Sequence, residues 1–245
     1  MSRPILPNSP LAQVSCELRF HGKLSLFSCW GAIQDDLRDQ YPHLYVPLAS
    51  IGTPSLLQPL KLSAEDKKSS ILLAINSIAY STLEYTGFSD FNSEMWRVFE
   101  IFLRHSRVSS FTHLEMRYIN RLPPMLNDDH ARGFVLHPAL KLSVDGIAAE
   151  QTSQPQFVAE VIKDGVNFRI ALVSPEENFE NEHSSTDTPI LQGIHLDLVG
   201  YINRNVTDKS LSQDLARVHT VIEDGFFSMI TEKYLSYLKG ESDVG

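Results

Sequence analysis

The order of apolar and polar residues predicts a strand and then a helix near the start of the chain. From Val14 to Phe20 the two kinds of residue alternate, which places apolar side chains on one face of a strand and polar side chains on the other. Apolar residues then recur at helical spacing, which predicts a helix over about Ser25–Gln40 that ends before Pro42.

Three short strands and a second helix follow. The strands are predicted at Leu60–Ser63, Ser70–Ile75 and Ile78–Glu84, with Asn76-Ser77 as a tight turn between the last two. The helix is predicted to begin near Ser89 or Asp90, because either side chain can cap it. Its apolar face is formed by Met95, Trp96, Phe99, Phe102 and Leu103.

The second half of the chain repeats this order. A strand containing Leu114, Met116 and Tyr118 is followed by a less regular stretch at about 122–153, with a short helix near Pro138–Leu142. The next elements are a hairpin, Phe157–Lys163 and Val166–Val173, around the turn Asp164-Gly165, then a strand over Gly193–Ile202 and a long helix from Ser210 to about Leu238.

Both halves therefore have the order strand, helix or irregular segment, three strands, helix. We predict one α+β domain over 1–245, with a mostly antiparallel sheet and helices on one face. An internal duplication (β-α-βββ-α twice) would relate about 12–107 to about 111–238. The string Glu17-Leu-Arg-Phe20 supports it, because it returns as Glu115-Met-Arg-Tyr118, although short strings also recur by chance.

A charged strip follows from those two strands. Glu17 and Arg19 share one face of the first strand, and Glu115 and Arg117 share one face of the second. If the strands are antiparallel neighbours, each Glu can face an Arg across the ladder and tie the two halves together. The alternative is that Arg19, Arg117 and Arg121 bind an anion or a partner's strand or tail, which requires that Arg19 or Arg117 lacks a carboxylate partner.

Three segments together resemble a known family: Ser9–Phe20, Glu115–Arg121 and Phe226–Leu235. It is a sporadically distributed bacterial family of about this length with no assigned function. Its members are similar in a Pro-Leu-x-x-Val-x-x-Glu-x-Arg-Phe start, an Arg-Tyr-Ile-Asn-Arg middle strand and a long C-terminal helix. This chain has Glu115-Met116 where Gly-Leu is common, and Glu232 where Asp is usual. The resemblance implies a bacterial source and a patchy, mobile-element setting, and it brings no catalytic residue.

Charge and composition narrow the function classes. A net charge of −9 argues against sequence-independent binding to nucleic-acid phosphates and against adsorption to anionic lipid. Cys16 and Cys29 lie in apolar contexts and do not form a disulfide framework. The N-terminal residues lack the apolar core of a signal peptide, and no apolar run approaches a membrane span, so we expect a cytoplasmic protein without a membrane partner.

Motifs for catalysis are missing from the sequence. Gly-x-Ser-x-Gly, the phosphate-binding glycine loops and His-x-x-x-His are all absent, so we predict no catalytic residue, no metal site and no cofactor, and the balance favours a protein that is not an enzyme. The stretch 174–189 contains five acids and no Lys or Arg. It is either a solvated loop or a docking segment for a basic partner, with Phe179, Glu180 and Glu182 as contact residues.

Three functional hypotheses remain. The first is a non-enzymatic, cytoplasmic bacterial interaction or regulatory subunit, of a defence or toxin–antitoxin type system, that contacts a protein partner through its terminal helix or its sheet edge. The second is a protein that binds a small anionic ligand, or an unrecognised enzyme, through Arg19 and Arg117. The third is a saddle-like sheet that binds nucleic acid, which the net charge disfavours. The sequence leaves the oligomeric state open.

Overall fold

Nine strands form one antiparallel sheet in the computed structural model, which describes residues 6–46, 58–122, 157–173 and 195–241. The strands are β1 (Leu11–Arg19), β2 (His43–Tyr45), β3 (Leu60–Ser63), β4 (Ser69–Leu73), β5 (Ser77–Thr82), β6 (Ser110–Phe111), β7 (His113–Arg121), β8 (Phe157–Lys163), β9 (Val166–Val173), β10 (His195–Ile202) and β11 (Val206–Thr207). The order across the sheet is β2-β3-β4-β5-β1-β7-β10-β9-β8, and a separate two-stranded pair joins β6 to β11.

Four α-helices in the described residues pack on one face of this sheet, which confirms the α+β prediction. They are α1 (Trp30–Leu37), α2 (Phe88–Ser106), α3 (Asp208–Met229) and α4 (Glu232–Leu238), and a short 3₁₀ helix at Leu24–Ser28 precedes α1. The Phe20 and Phe102 rings pack β1 against α2, with 5.5 Å between their centroids. Gly200 of β10 leaves room for Val218 and Ile222 of α3 to lie directly on the sheet.

The alternating strands lie at the centre of the sheet, as their pattern requires. In β1 the side chains of Val14, Cys16 and Leu18 are fully buried, whereas those of β1's intervening residues point to the opposite face. β7 shows the same alternation, with Leu114 and Met116 buried. Burial of one face of each central strand provides the main apolar contact between sheet and helices.

The strand order is the same on both sides of the central β1–β7 pair. Moving outward from β1 the order is β5, β4, β3, and moving outward from β7 it is β10, β9, β8. β2 extends only the first side. A duplicated β-α-βββ-α unit would produce this order, and the duplication itself stays a prediction.

A long helix lies near the C-terminus as predicted, but the segment predicted as one helix from Ser210 to about Leu238 is two helices. α3 ends at Met229, and Ile230 has an extended backbone with φ −87° and ψ 152°. The side chain of Thr231 then accepts a hydrogen bond from the Tyr234 backbone N–H at 3.1 Å and caps α4. Apolar spacing continues through the break because Tyr234 and Leu238 are buried in the same core.

Two other helices differ from prediction. The predicted helix over Ser25–Gln40 is a 3₁₀ turn followed by α1, which ends at Leu37. α2 begins at Phe88 after Gly87, so neither Ser89 nor Asp90 is its cap. The short helix predicted near Pro138–Leu142 lies outside the described residues.

The hairpin prediction is confirmed in full. β8 and β9 pair from Lys163 opposite Val166, and Asp164 and Gly165 between them have φ values of 53° and 73°. Positive φ at both central residues is the geometry of a type I′ turn, which the Asp-Gly dipeptide favours. β2 was not predicted, because its three residues are all exposed and show no alternation.

Candidate functional site

The face of the sheet opposite the helices, called the open face below, carries the predicted charged strip. β1 and β7 are antiparallel neighbours as expected, but their register places Glu17 directly opposite Glu115. Arg19 lies opposite His113, and Arg117 lies opposite Ser15. The predicted Glu–Arg pairing between the two strands is therefore wrong, because the register aligns Glu17 with Glu115 and not with Arg117.

Arg19 and Arg117 each have a carboxylate partner, but not on the opposite central strand. Arg19 donates to Glu17 of its own strand at 2.8 Å. Arg117 donates through Nε and Nη2 to the two oxygens of Asp197 on β10, each at 2.8 Å. The Asp197 side chain is only 10% exposed, whereas that of Arg117 is 44% exposed, so the pair closes over a buried carboxylate.

Glu115 is stabilised by a neighbour on its own strand. His113 Nε2 lies 3.3 Å from Glu115 Oε2, and this hydrogen bond lowers the pKa of Glu115 and raises the pKa of His113. The charges of Arg19 and Arg169 lower the pKa of Glu115 further. A carboxylate can therefore face Glu17 across the ladder without becoming protonated near neutral pH.

The structure does not bring the three candidate arginines together. Arg19 is the last residue of β1 and Arg121 is the last residue of β7, so in an antiparallel pair they lie at opposite ends, about 27 Å apart along the strand. One small anion cannot contact both. The anion hypothesis required that Arg19 or Arg117 lack a carboxylate partner. Both are paired with carboxylates, so this condition is not met on the open face.

The edge strand β8 presents a second surface. Of the described strands it pairs only with β9, and it ends the sheet. Val158, Val161 and Ile162 are 62%, 49% and 76% exposed, and they lie on both faces of the strand. The sequence placed this strand through the Asp164-Gly165 turn, but its position at the edge follows only from the strand order.

A cavity of about 790 Å³ lies on the helical side of the sheet, between the start of α2, the middle of α3 and the N-terminal residues before β1. We call it the interhelical cleft. Tyr118 of β7 and His219 of α3 are joined there by a 2.9 Å hydrogen bond between the hydroxyl oxygen and Nδ1. Sequence reasoning missed this site because its polar groups come from three separate elements and form no local motif. Its walls include Leu11, Tyr85, Phe88, Asp90, Tyr118, Asn120, His219, Thr220, Glu223 and Phe227.

The remaining predicted features are settled only in part. Phe179, Glu180 and Glu182 lie outside the described residues. Cys16 is buried in the core and Cys29 is partly buried, and burial raises the pKa of both thiols, as expected for packing residues. Among the residues that the structure describes, no three His, Cys, Asp or Glu side chains are grouped to hold a metal ion.

The described helices include none that is both long enough and apolar enough to span a bilayer. No family model matches the chain, and no curated protein matches it. Among solved structures, the chain is similar to Methanococcus jannaschii TBP at 10% identity, over 87% of this chain and 96% of that one, with a TM-score of 0.25. Likeness at that TM-score supports no statement about function.

Proposed function

We propose that this chain is a non-enzymatic interaction protein that binds an extended segment of a partner polypeptide along the outer edge of β8, with which no described strand pairs. The observation that carries the proposal is the position of β8, a seven-residue strand at the end of the sheet with three exposed apolar side chains. An unpaired strand edge offers a row of backbone donors and acceptors to another chain. Added strands of this kind are a common mode of peptide recognition.

The hairpin geometry identifies the backbone groups that would bind. In a two-residue hairpin the flanking pair, Lys163 and Val166, exchanges both hydrogen bonds, and pairs then alternate along the ladder. The N–H and C=O groups of Val158, Glu160 and Ile162 therefore point away from β9. A partner strand would pair with these three residues, and the exposed side chains of Val158 and Ile162 would contact it on the open face.

Within the part of the chain that the structure describes, β8 lacks the features that usually protect an edge. Natural edge strands are kept short, or carry prolines, bulges or several charges. β2 at the opposite edge has only three residues, whereas β8 has seven, without proline, and its charged residues are Glu160 and Lys163. An edge of this length and apolarity is a candidate for a partner contact.

The charge of the chain indicates the kind of partner. A net charge of −9 favours association with a basic protein, since opposite net charges speed encounter and disfavour acidic competitors. A basic toxin or nuclease neutralised in the bacterial cytoplasm would fit, as would a regulated subunit of a defence system. This setting rests on the sequence resemblance alone.

The experiment uses proline to remove one backbone N–H donor that points away from β9. Glu160→Pro deletes the outward N–H of residue 160 and leaves the β8–β9 hydrogen bonds in place, and Glu160→Ala is the matched control that keeps the N–H. Peptides displayed on phage would be selected against the full chain, and the best binder measured by calorimetry. We expect basic, alternating apolar sequences whose affinity falls at least about tenfold with Glu160→Pro and stays within about twofold with Glu160→Ala.

Three results would contradict the proposal. Selection of no peptide, or equal binding to both variants, would remove β8 as the binding edge. A wild-type dimer that Glu160→Pro converts to a monomer would show that the edge pairs with a second copy of this chain instead.

Nucleic-acid binding on the open face has little physical support. Arg19 and Arg117 are already paired with carboxylates, and Glu17 and Glu115 stand between them. We expect the full chain to shift neither duplex nor single-stranded DNA at low salt, where phosphate contacts are strongest.

A further inference from the structure

The interhelical cleft has the size and lining of a small-molecule site. Its volume of about 790 Å³ falls within the range of about 300–1,000 Å³ that is usual for ligand pockets. Slightly more than half of its lining residues are apolar or aromatic, and Ser, Thr, Asn, Asp, Glu and His residues form most of the rest. It lies on the opposite side of the sheet from the open face and is separate from the outer edge of β8.

The polar centre of the cleft is packed among aromatic rings. The His219 ring stacks on Phe88, with centroids 3.8 Å apart and planes 4° from parallel, and its Nδ1 is bonded to Tyr118. Tyr85 packs edge-on against Tyr118, with 5.9 Å between centroids. Four rings, from β7, from α3, from Phe88 at the start of α2 and from Tyr85 just before it, therefore contact one another at the wall of the cleft.

The charge of the lining selects the ligand. Among the described residues that line the cleft there is no Lys or Arg, whereas Asp90 and Glu223 are both present. Burial lowers the pKa of His219 to about 4, so its ring is neutral at pH 7. Glu223 lines the cleft together with Tyr85 and Tyr118. Its negative charge adds to the effect of burial, which raises the pKa of both tyrosines.

We infer that the interhelical cleft binds a small organic cation, an amine with an apolar body. Aromatic faces attract cations through their negative ring quadrupole, and a neighbouring carboxylate adds to that attraction. The apolar body would lie against Leu11, Phe227 and the other apolar wall residues, and the ammonium group would lie near Glu223 and Tyr85. Among the described lining residues, an anion would meet two carboxylates and no Lys or Arg.

The test compares two probes of similar size and opposite charge. Phenethylammonium and 3-phenylpropionate would each be titrated into the full chain and followed by calorimetry and by the NMR signal of the His219 ring. We expect the ammonium probe to bind with a Kd of about 1 mM, as a fragment of its size should, and to shift the His219 signal, while the carboxylate probe binds at least about tenfold more weakly.

Two substitutions separate the site from general charge effects. Glu223→Gln should weaken the ammonium probe about fivefold, because it removes the carboxylate beside the rings. Glu100→Gln, which changes an exposed acid on α2 outside the cleft, should leave its affinity unchanged. Glu160→Pro should also leave the affinity for the ammonium probe unchanged. A failure of the β8 proposal can therefore be distinguished from a failure of the cleft proposal. Equal binding of both probes, no binding below about 10 mM, or equal effects of the two glutamine variants would overturn the inference.

Discussion

Glu17 and Glu115 lie directly opposite each other on β1 and β7, at the centre of the nine-stranded sheet. Like charges in this arrangement destabilise a strand pair. Each carboxylate is instead balanced along its own strand, Glu17 by Arg19 at 2.8 Å and Glu115 by His113 at 3.3 Å. The described side chains of these two strands form no direct ion pair with each other, although the charge of Arg19 still favours the Glu115 carboxylate. The buried apolar face supplies most of the contact free energy between sheet and helices.

Asp197 should contribute more to stability than the repeated glutamates. Asp197→Ala would leave Arg117 without its two hydrogen bonds and should lower the free energy of unfolding by about 1–2 kcal/mol, a value limited because Arg117 is partly solvated. Glu17→Ala, which removes the carboxylate partner of the exposed Arg19 side chain, should change the free energy of unfolding by less than about 0.5 kcal/mol. Urea unfolding of both variants measures the difference. Equal effects of the two substitutions would contradict the prediction.

Gly225 of α3 should resist a substitution that normally stabilises helices. Gly→Ala within a helix usually gains about 1 kcal/mol, but a Cβ at position 225 would lie 2.4 Å from the ring of Phe168 on β9. Gly225→Ala should therefore lower the free energy of unfolding by about 1–3 kcal/mol.

The matched test for this contact is a double-mutant cycle. Phe168→Leu shortens the side chain that blocks position 225, so Gly225→Ala should cost less in that background than in the wild type. Chemical denaturation of the four proteins gives the coupling free energy. Additive effects would show that the Phe168 ring is not the cause.

His219 should make the protein less stable in mild acid. Its folded pKa of about 4 lies below the ordinary value of 6.5, so the unfolded chain binds a proton first as the pH falls. The free energy of unfolding should fall between pH 6.5 and 4, by at most about 3 kcal/mol from this group. His113 acts in the opposite sense, because its raised pKa gives stability below pH 6.5 that is lost as the pH rises through its folded pKa.

The substitution His219→Gln separates the contributions of His219 and His113 to the pH dependence of stability. Glutamine keeps a hydrogen-bonding group near Tyr118 but does not titrate, so the variant should lose less stability than the wild type between pH 6.5 and 4. NMR titration of the imidazole signals checks the assignment directly. A His219 pKa near 6.5 would disprove the prediction.

Gly165 should be required for full stability only because of its backbone conformation. Its φ is +73°, and a Cβ there would find its nearest neighbour, Arg217 Nη1, at 4.0 Å, so space is available. Gly165→Ala should therefore cost about 1 kcal/mol through its left-handed backbone. Asp164→Asn, at φ +53°, should be nearly neutral because asparagine tolerates that region. Thermal unfolding of the two variants compares them, and equal losses would argue against a type I′ turn in solution.

The sequence predicted those features that depend on neighbouring residues. Alternation from Val14 to Phe20 placed β1 and its buried face, and Asp164-Gly165 placed the β8–β9 hairpin, because side-chain period and turn chemistry are local properties. Apolar spacing also placed α2 and most of α3, but it could not detect the break at Ile230. Both α3 and α4 bury their apolar residues in one core, so the spacing continues across the extended residue.

Only the tertiary structure determined which residues from distant parts of the chain meet. The register that sets Glu17 opposite Glu115, the pairing of Arg117 with Asp197 and the edge position of β8 all result from strand packing. The cleft around Tyr118 and His219 exists because β7 and α3, about a hundred residues apart, pack together. Local pattern determines which face of an element is buried, whereas partner and register depend on the free energy of the whole sheet–helix core.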